Sequence, residues 1–377
     1  MSALGTAIGI VVTEVQARAL ARRLAATTMP ITPVAVYFAD APFGLYQLRR
    51  WYEPLEALDG VHRVSIITSN PVTYAAVREQ TSVAVTFADG AAPLGRALQS
   101  QGVKVILYPN NNYLNFLALR FEEAVHVFIG HGESAKESSV SHQLKAYDFT
   151  YVASRDAIEQ LRRIRGFDAD GTAVVIGSPW LGFLSEPPSS WRPDERTVVL
   201  YAPTWEGDRP TMDYSSVDTL GLPIVEALLG MPNVRLIYRP HPWTGRMRSA
   251  SAAADARIRS AIKKAGRGDV IDTHDYGWAL GAAQLCITDV SSVAFDARAL
   301  GKALMITVPI GSSTPPVPQN VYAGAVRLEQ TDIAGIRSLV ESAVSNTANR
   351  APTTATSMDG LLLAIEKLLA NSSKAPL

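Results

Sequence analysis

Four segments carry residues whose types and spacing could do chemistry. The richest is Leu285-Cys-Ile-Thr-Asp-Val-Ser-Ser-Val-Ala-Phe-Asp-Ala-Arg-Ala-Leu-Gly-Lys302. Its pattern predicts a buried strand ending at Thr288, a turn at Asp289 and Val290, and a helix opening at Ser291-Ser292. Unbonded backbone N–H groups, two hydroxyls and the positive end of a helix dipole then coincide, which is the chemistry of an anion site. Asp296, one helical turn past Ser292, lies in reach of ribose hydroxyls, and Asp289 in reach of a phosphate or an acceptor. The same spacing also suits a plain serine cap with Asp296 as a solvated helix residue.

The run Leu236-Ile-Tyr-Arg-Pro-His-Pro-Trp243 places Arg239 and His241 on a loop that two prolines keep out of helix and strand. Nine Lys/Arg and one acid lie between Arg235 and Arg267. That local basic bias suits a diphosphate or an acidic polymer, or a solvated helix face after Asp255. Tyr201-Ala-Pro-Thr-Trp-Glu-Gly207 puts Thr204 at a strand end, where it could offer phosphate a hydroxyl and an amide. Val127-Phe-Ile-Gly-His-Gly-Glu133 sets His131 between two glycines, an uncovered imidazole suited to a general base. A structural histidine between two turn glycines is the alternative. Lys136 follows as a further contact for an acceptor or a phosphate. His126, inside a strand, reads as a satisfied histidine.

Positioning these residues takes two series of alternating elements. Strands are expected over 34–38, 64–68, 82–87, 103–108, 125–129, 149–153 and 173–176, with amphipathic helical stretches such as 45–58 and 92–101 between them. A second series covers 197–201, 234–238, 270–272, 285–288, 303–308 and 325–328. Such alternation predicts α/β architecture, two doubly wound Rossmann-type domains with parallel sheets. Ligands of such folds bind at the carboxyl ends of the strands, so the expected site is a cleft between the two sheets. The expected division is 1–184 for an acceptor-side domain, 185–195 for an exposed Pro/Ser linker and 196–350 for a nucleotide-binding domain. A last helical pattern in 351–377 is expected to cross back to the first domain.

The chain has 377 residues, 35 basic and 35 acidic side chains, and 47% apolar residues. That composition excludes a disordered chain, and zero net charge argues against nucleic acid as a partner. One cysteine, Cys286, excludes a disulfide framework or a cysteine-built zinc site and fits a reducing cytoplasm. No Asp/His cluster has metal spacing. No stretch approaches the ~20 apolar residues of a spanning helix. Val11, Val12, Val15, Ala19 and Leu20 could share one face of an early helix, packed on the protein or lying on a membrane surface.

Between about residues 125 and 305 the four segments occur in the order His-Gly, Tyr-Ala-Pro-Thr, Arg-x-His-Pro and Ile-Thr-Asp-x-Ser-Ser-Val-x-Phe-Asp. In this the chain resembles the CDP-glycerol glycerophosphotransferases of bacterial teichoic-acid and capsule synthesis. The resemblance implies a GT-B fold and transfer of an alcohol phosphate from CDP-glycerol, or another CDP-alcohol, with release of CMP. It implies a lipid-linked or polymer acceptor and peripheral contact with the inner face of the plasma membrane; with no metal-spaced cluster in the sequence, no cofactor or metal is expected to be required. By resemblance His131 is the base, with His241 the next candidate. Arg239 and His241 hold the diphosphate, Ser291 and Ser292 a phosphate, and Asp296 the ribose. Where the family often has a basic residue after Pro-Thr-aromatic, this chain has Glu206. Two other readings stay open: a GT-B nucleotide-sugar glycosyltransferase, and a non-catalytic nucleotide-binding relative.

Overall fold

A computed structural model describes residues 15, 16, 19, 30–133, 141–273, 275–308, 324–346 and 354–372. The chain divides into two compact units: Met1–His131 with Ser141–Trp180 and Ser357–Leu377, and Gly132–Val140 with Leu181–Thr356. Most of the early helical pattern, and Lys136, lie outside the described residues.

In the first unit the strands are β1 (Val34–Phe38), β2 (Val64–Thr68), β3 (Ala84–Phe87), β4 (Val105–Tyr108), β5 (Val125–Phe128), β6 (Phe149–Val152) and β7 (Ala173–Val175). They form one sheet in the order β3-β2-β1-β4-β5-β6-β7, and every pairing is parallel. A parallel sheet is covered on both faces, so its central strands are apolar runs without alternation. Every residue of β1, β2 and β4 is accordingly buried, while the edge strands β3 and β7 are not.

The second unit has β8 (Thr197–Ala202), β9 (Val234–Tyr238), β10 (Asp269–Val270), β11 (Leu285–Thr288), β12 (Ala303–Thr307) and β13 (Val326–Leu328). Their order is β10-β9-β8-β11-β12-β13, again with parallel pairings. Val199, Tyr201, Leu285, Ile287 and Met305 of the sheet pack with Leu220, Ile224, Leu228 and Ile258 of the covering helices in one apolar core.

Both sheets reverse winding direction at one place, between β1 and β4 in the first unit and between β8 and β11 in the second. At such a reversal the flanking loops part and leave a crevice at the carboxyl ends of the strands. Asp40 and Asn110 follow β1 and β4, while Thr204 and Ser291 follow β8 and β11.

The division between the units falls at Trp180/Leu181, ahead of the Pro/Ser segment expected to be an exposed linker at 185–195. Aromatic packing holds that segment to the second unit. Trp191, 8% exposed, packs against Trp278 with ring centroids 5.4 Å apart, and the Arg235 guanidinium lies 4.6 Å from its ring centre. Ser185 Oγ donates to Asp275 at 2.6 Å. The helix Asp359–Ser372 belongs to the first unit and buries Leu361 and Ile365. Its Gly360 has a structural reason, because a Cβ there would come 2.5 Å from the Ile176 carbonyl oxygen. Among the described residues no helix is long and apolar enough to cross a membrane.

Candidate functional site

In the second unit, Asp289 is the hub of the crevice between β8 and β11. Its carboxylate is wholly buried and accepts from the backbone N–H groups of Thr204 (2.7 Å) and Ser216 (3.1 Å) and from the Thr307 hydroxyl. Burial pushes its pKa up to about 6 against these donors. Asp289 therefore ties the ends of β8, β11 and β12 together from beneath. The expected contact with a phosphate or acceptor is corrected accordingly, since none of the carboxylate faces solvent. The Thr204 amide, expected to meet phosphate, is likewise held by Asp289, and Thr204 itself is 3% exposed.

Ser291 is the N-cap of the helix Ser292–Ala299, yet its side chain makes no capping bond. Its Oγ lies 3.1 Å from Thr288 Oγ1, which itself donates to the Ala202 carbonyl at 2.6 Å. A hydroxyl has one hydrogen, so Ser291 must donate to Thr288 and keeps only acceptor capacity. Of the two hydroxyl donors expected at this helix start, Ser291's is already used. Ser291 gives the first-turn N–H groups no side-chain cap, and half-buried Ser292 stands at the helix start. Asp296, expected to face ribose, is 2% exposed and takes the Tyr276 hydroxyl at 3.4 Å.

Arg239 and His241 follow β9. Arg239 is 7% exposed, its amide donates to the Tyr201 carbonyl at 2.9 Å, and its guanidinium lies 4.3 Å from the Tyr276 ring centre. Tyr276 thus joins Arg239 and Asp296. The backbone N–H of Trp243 donates to His241 Nδ1 at 3.1 Å. An accepting Nδ1 leaves the hydrogen of the neutral ring on Nε2, so His241 presents a donor. Its ring lies nearly parallel to Trp205, at 26° with centroids 6.2 Å apart. Glu206, 4% exposed, accepts from the amides of Gly245, Met247 and Arg248 at 3.0–3.2 Å. A carboxylate here fixes the loop that carries His241 and faces the start of the helix Ser249–Ala265.

His131 lies in the first unit, past the end of β5. Gly130 and Gly132 take φ of 60° and 130°, which side-chain-bearing residues rarely adopt, so the two glycines make the turn possible. Its Nδ1 lies 3.1 Å from the Pro109 carbonyl oxygen. A carbonyl only accepts, so Nδ1 carries the hydrogen and Nε2 is left as the basic atom. The ring is half-buried and edge-on to Tyr46 at 5.9 Å. Burial holds its pKa down to about 4, opposed by the Pro109 bond and assisted by the Arg50 charge. The imidazole is therefore neutral at physiological pH. Trp51, fully buried, donates its indole N–H to the Gly130 carbonyl at 2.6 Å. His126 is satisfied on both nitrogens, by the Tyr108 hydroxyl at 2.8 Å and the Phe121 carbonyl at 3.0 Å.

Sequence reasoning missed Trp51, Tyr46, Arg50, Tyr276 and the tether made by Glu206. The first four act from stretches of chain with no local motif; Glu206 lies in the Tyr201–Gly207 segment, but its partners at 245–248 are about forty positions away. Among the described residues no group of three or more His, Cys, Asp and Glu could hold a metal ion.

Several solved structures share this architecture. The wall teichoic acid polymerase TagF, in a structure with CDPG, is 14% identical with a TM-score of 0.55, over 98% of this chain and 97% of that one. The UDP-GlcNAc 2-epimerase from Neisseria meningitidis bound to UDP-GlcNAc is 14% identical with a TM-score of 0.58, over 90% of this chain and 100% of that one. MnaA from S. aureus, solved with UDP, is 11% identical with a TM-score of 0.60, over 92% and 99%. No curated protein matches the chain in sequence. Such likenesses define the fold, which is of the GT-B class. The family model described as CDP-glycerol:poly(glycerophosphate) glycerophosphotransferase matches residues 113–309, more than half of the chain. The chain belongs to that family, and it is a transferase.

Proposed function

We propose that the chain moves a glycerol-phosphate unit, or that of a related alcohol, from a CDP-alcohol to an acceptor hydroxyl, with His131 as the base. The acceptor O–H gives its proton to His131 Nε2, and its oxygen bonds to the β-phosphorus. The bond from that phosphorus to the bridging oxygen breaks, and CMP leaves with the electron pair. Charge that gathers on the phosphoryl oxygens is met by Arg239, by the Nε2–H of His241, and by the N–H groups at the start of the helix Ser292–Ala299, which the Ser291 side chain does not cap. Thr204 and Asp289 serve from beneath, as supports of that donor site.

The observation that carries this reading is the Pro109 carbonyl on His131 Nδ1, which leaves Nε2 as the basic atom of the neutral ring. The family match supports a nucleotide-activated donor and a polymer acceptor. We take the acceptor to be lipid-linked, in wall or capsule polymer synthesis, and reached from the cytoplasmic face by peripheral membrane contact. No cofactor has a part in this chemistry. Release of the nucleotide leaving group, CMP from CDP-alcohols and CMP-sugars and UDP from UDP-sugars, tests it across a panel of these donors. CMP from CDP-glycerol is the expected result; turnover of a nucleotide sugar alone would make the chain a glycosyltransferase, and nucleotide binding without turnover a non-catalytic relative.

A further inference from the structure

The loop after β4 is the run Pro109-Asn-Asn-Asn-Tyr-Leu-Asn115, and its amides converge on one carboxylate. Asp40, two residues past β1, accepts from Asn110 Nδ2 on one oxygen and from Asn112 Nδ2 on the other. Asn110 Nδ2 also reaches Gln47 Oε1 at 2.7 Å. The loop is fixed from below, with Asn115 Nδ2 donating to the Asn110 carbonyl at 2.7 Å and to the Tyr147 hydroxyl at 2.9 Å. Gly44 lets the next turn press against Asp40, since a Cβ there would lie 2.9 Å from Oδ2. These groups sit where the sheet reverses, between β1 and β4, and the neighbouring strand end is that of β5, which carries His131. Pro109, whose carbonyl holds His131 Nδ1, is the residue before Asn110.

Two features say what such a cluster would take. Asn110 is 3% exposed, and its Oδ1 is buried with no hydrogen-bond partner. A buried acceptor left unmatched is rare and calls for a donor. Each Asp40 oxygen meets one amide and retains lone-pair capacity, so the cluster as a whole lacks O–H donors. Aromatic side chains flank it in sequence: Phe43 is 55% exposed, Tyr113 76% and Phe116 55%. Acceptor-rich polar groups beside open aromatic faces suit the vicinal hydroxyls and C–H faces of a sugar or polyol. A phosphate would bring like charge to Asp40 and few donors.

We propose that Asp40, Asn110 and Asn112 form the acceptor subsite, and that it selects a neutral polyhydroxyl terminus over a phosphorylated one. This rests on the reading of His131 as the base: the subsite would hold the hydroxyl whose proton passes to Nε2, as balanced above. A site built to bond hydroxyls discriminates through its own unmatched groups when the wrong end enters.

The test uses the full chain, CDP-glycerol as donor, and two acceptor probes, glycerol and glycerol 3-phosphate. Glycerol is expected to be the better acceptor for the wild type by about 10-fold in kcat/KM. Asp40→Asn should lower kcat/KM for glycerol by about 10–100-fold and bring the two probes within about 3-fold of each other. Asn112→Ser keeps a side-chain oxygen able to accept from the Leu114 amide, as Asn112 Oδ1 does at 2.8 Å, and loses the amide N–H that reaches Asp40. It should raise the glycerol KM by about 5-fold, with the KM for CDP-glycerol unchanged in both variants. Unchanged acceptor KM in both, or a wild type that prefers glycerol 3-phosphate, would overturn the subsite. Absence of CMP release from the wild type with any acceptor would count against the donor reading instead. Saturation-transfer NMR of glycerol on wild type and Asp40→Asn then decides: a signal lost in the variant upholds the subsite, and an equal signal removes it.

Discussion

The indole N–H of Trp51 donates to the carbonyl of Gly130 at 2.6 Å, so a buried side chain 79 positions earlier fixes the main chain just before His131. Trp51 is itself edge-on to Trp180, with ring centroids 5.2 Å apart. Trp51→Phe keeps an aromatic ring but leaves the Gly130 carbonyl without this donor. The variant should lose about 1–3 kcal/mol of stability. Its kcat should fall by about 10-fold as the base is misplaced, with CDP affinity intact. Melting temperature, kcat and calorimetry with CDP check the three together; a wild-type kcat would remove Trp51 from the positioning of His131.

The depressed pKa of His131 has a kinetic consequence. A base must be unprotonated, so the acid limb of kcat/KM attributable to His131 should fall near pH 4, not near the ordinary histidine value. For stability, the folded pKa lies below the unfolded one, so the unfolded chain binds the extra proton in the window between them. The contribution is complete above about pH 6.5 and is lost as pH falls toward 4. Arg50→Met should raise the pKa only modestly, because burial is the larger cause. An NMR titration of the His131 ring in both proteins checks this, and an ordinary pKa in the wild type would contradict it.

Removing Asp289 leaves the amides of Thr204 and Ser216 and the Thr307 hydroxyl without their acceptor inside the sheet end. Asp289→Ala should cost about 3–5 kcal/mol by chemical denaturation. A loss within about 0.5 kcal/mol would show that the knot is not structural.

Much of the fold was legible because parallel strands buried on both faces are short apolar runs. The runs 34–38, 64–68, 234–238 and 285–288 appear as strands with those bounds. Strand ends were less clear: Ser82 and Val103 precede the ladders that begin at Ala84 and Val105. The His131 turn was legible in its glycines, which take positive φ. Burial was not. Asp296 and Asp289 look identical in sequence to solvated acids, and only packing encloses them. The segment at 185–195 is largely exposed loop, as its prolines and serines suggest, while Trp191 within it is buried as an anchor. Asp40 and Asn110 are 70 positions apart, and no local pattern announces their pairing.

In the donor site, Arg239→Ala and Ser292→Ala should each weaken CDP binding by about 1–3 kcal/mol, as expected for a lost charge-assisted hydrogen bond. Ser291→Ala should act differently, because its hydroxyl is committed to Thr288. That variant should lower the melting temperature more than it lowers CDP affinity. Calorimetry with CDP on the three variants checks the set, and unchanged affinity in Arg239→Ala and Ser292→Ala would reject this donor site.

The most direct measurement is the single-turnover rate of CMP release by His131→Ala, taken with its CDP affinity and melting temperature. As a base that touches only the acceptor hydroxyl, His131 should contribute about 10²–10⁴ to the rate. The expected variant binds CDP as the wild type does, melts as a folded protein and transfers slower by that factor. Full activity in folded His131→Ala would contradict the account and remove His131 from the chemical step.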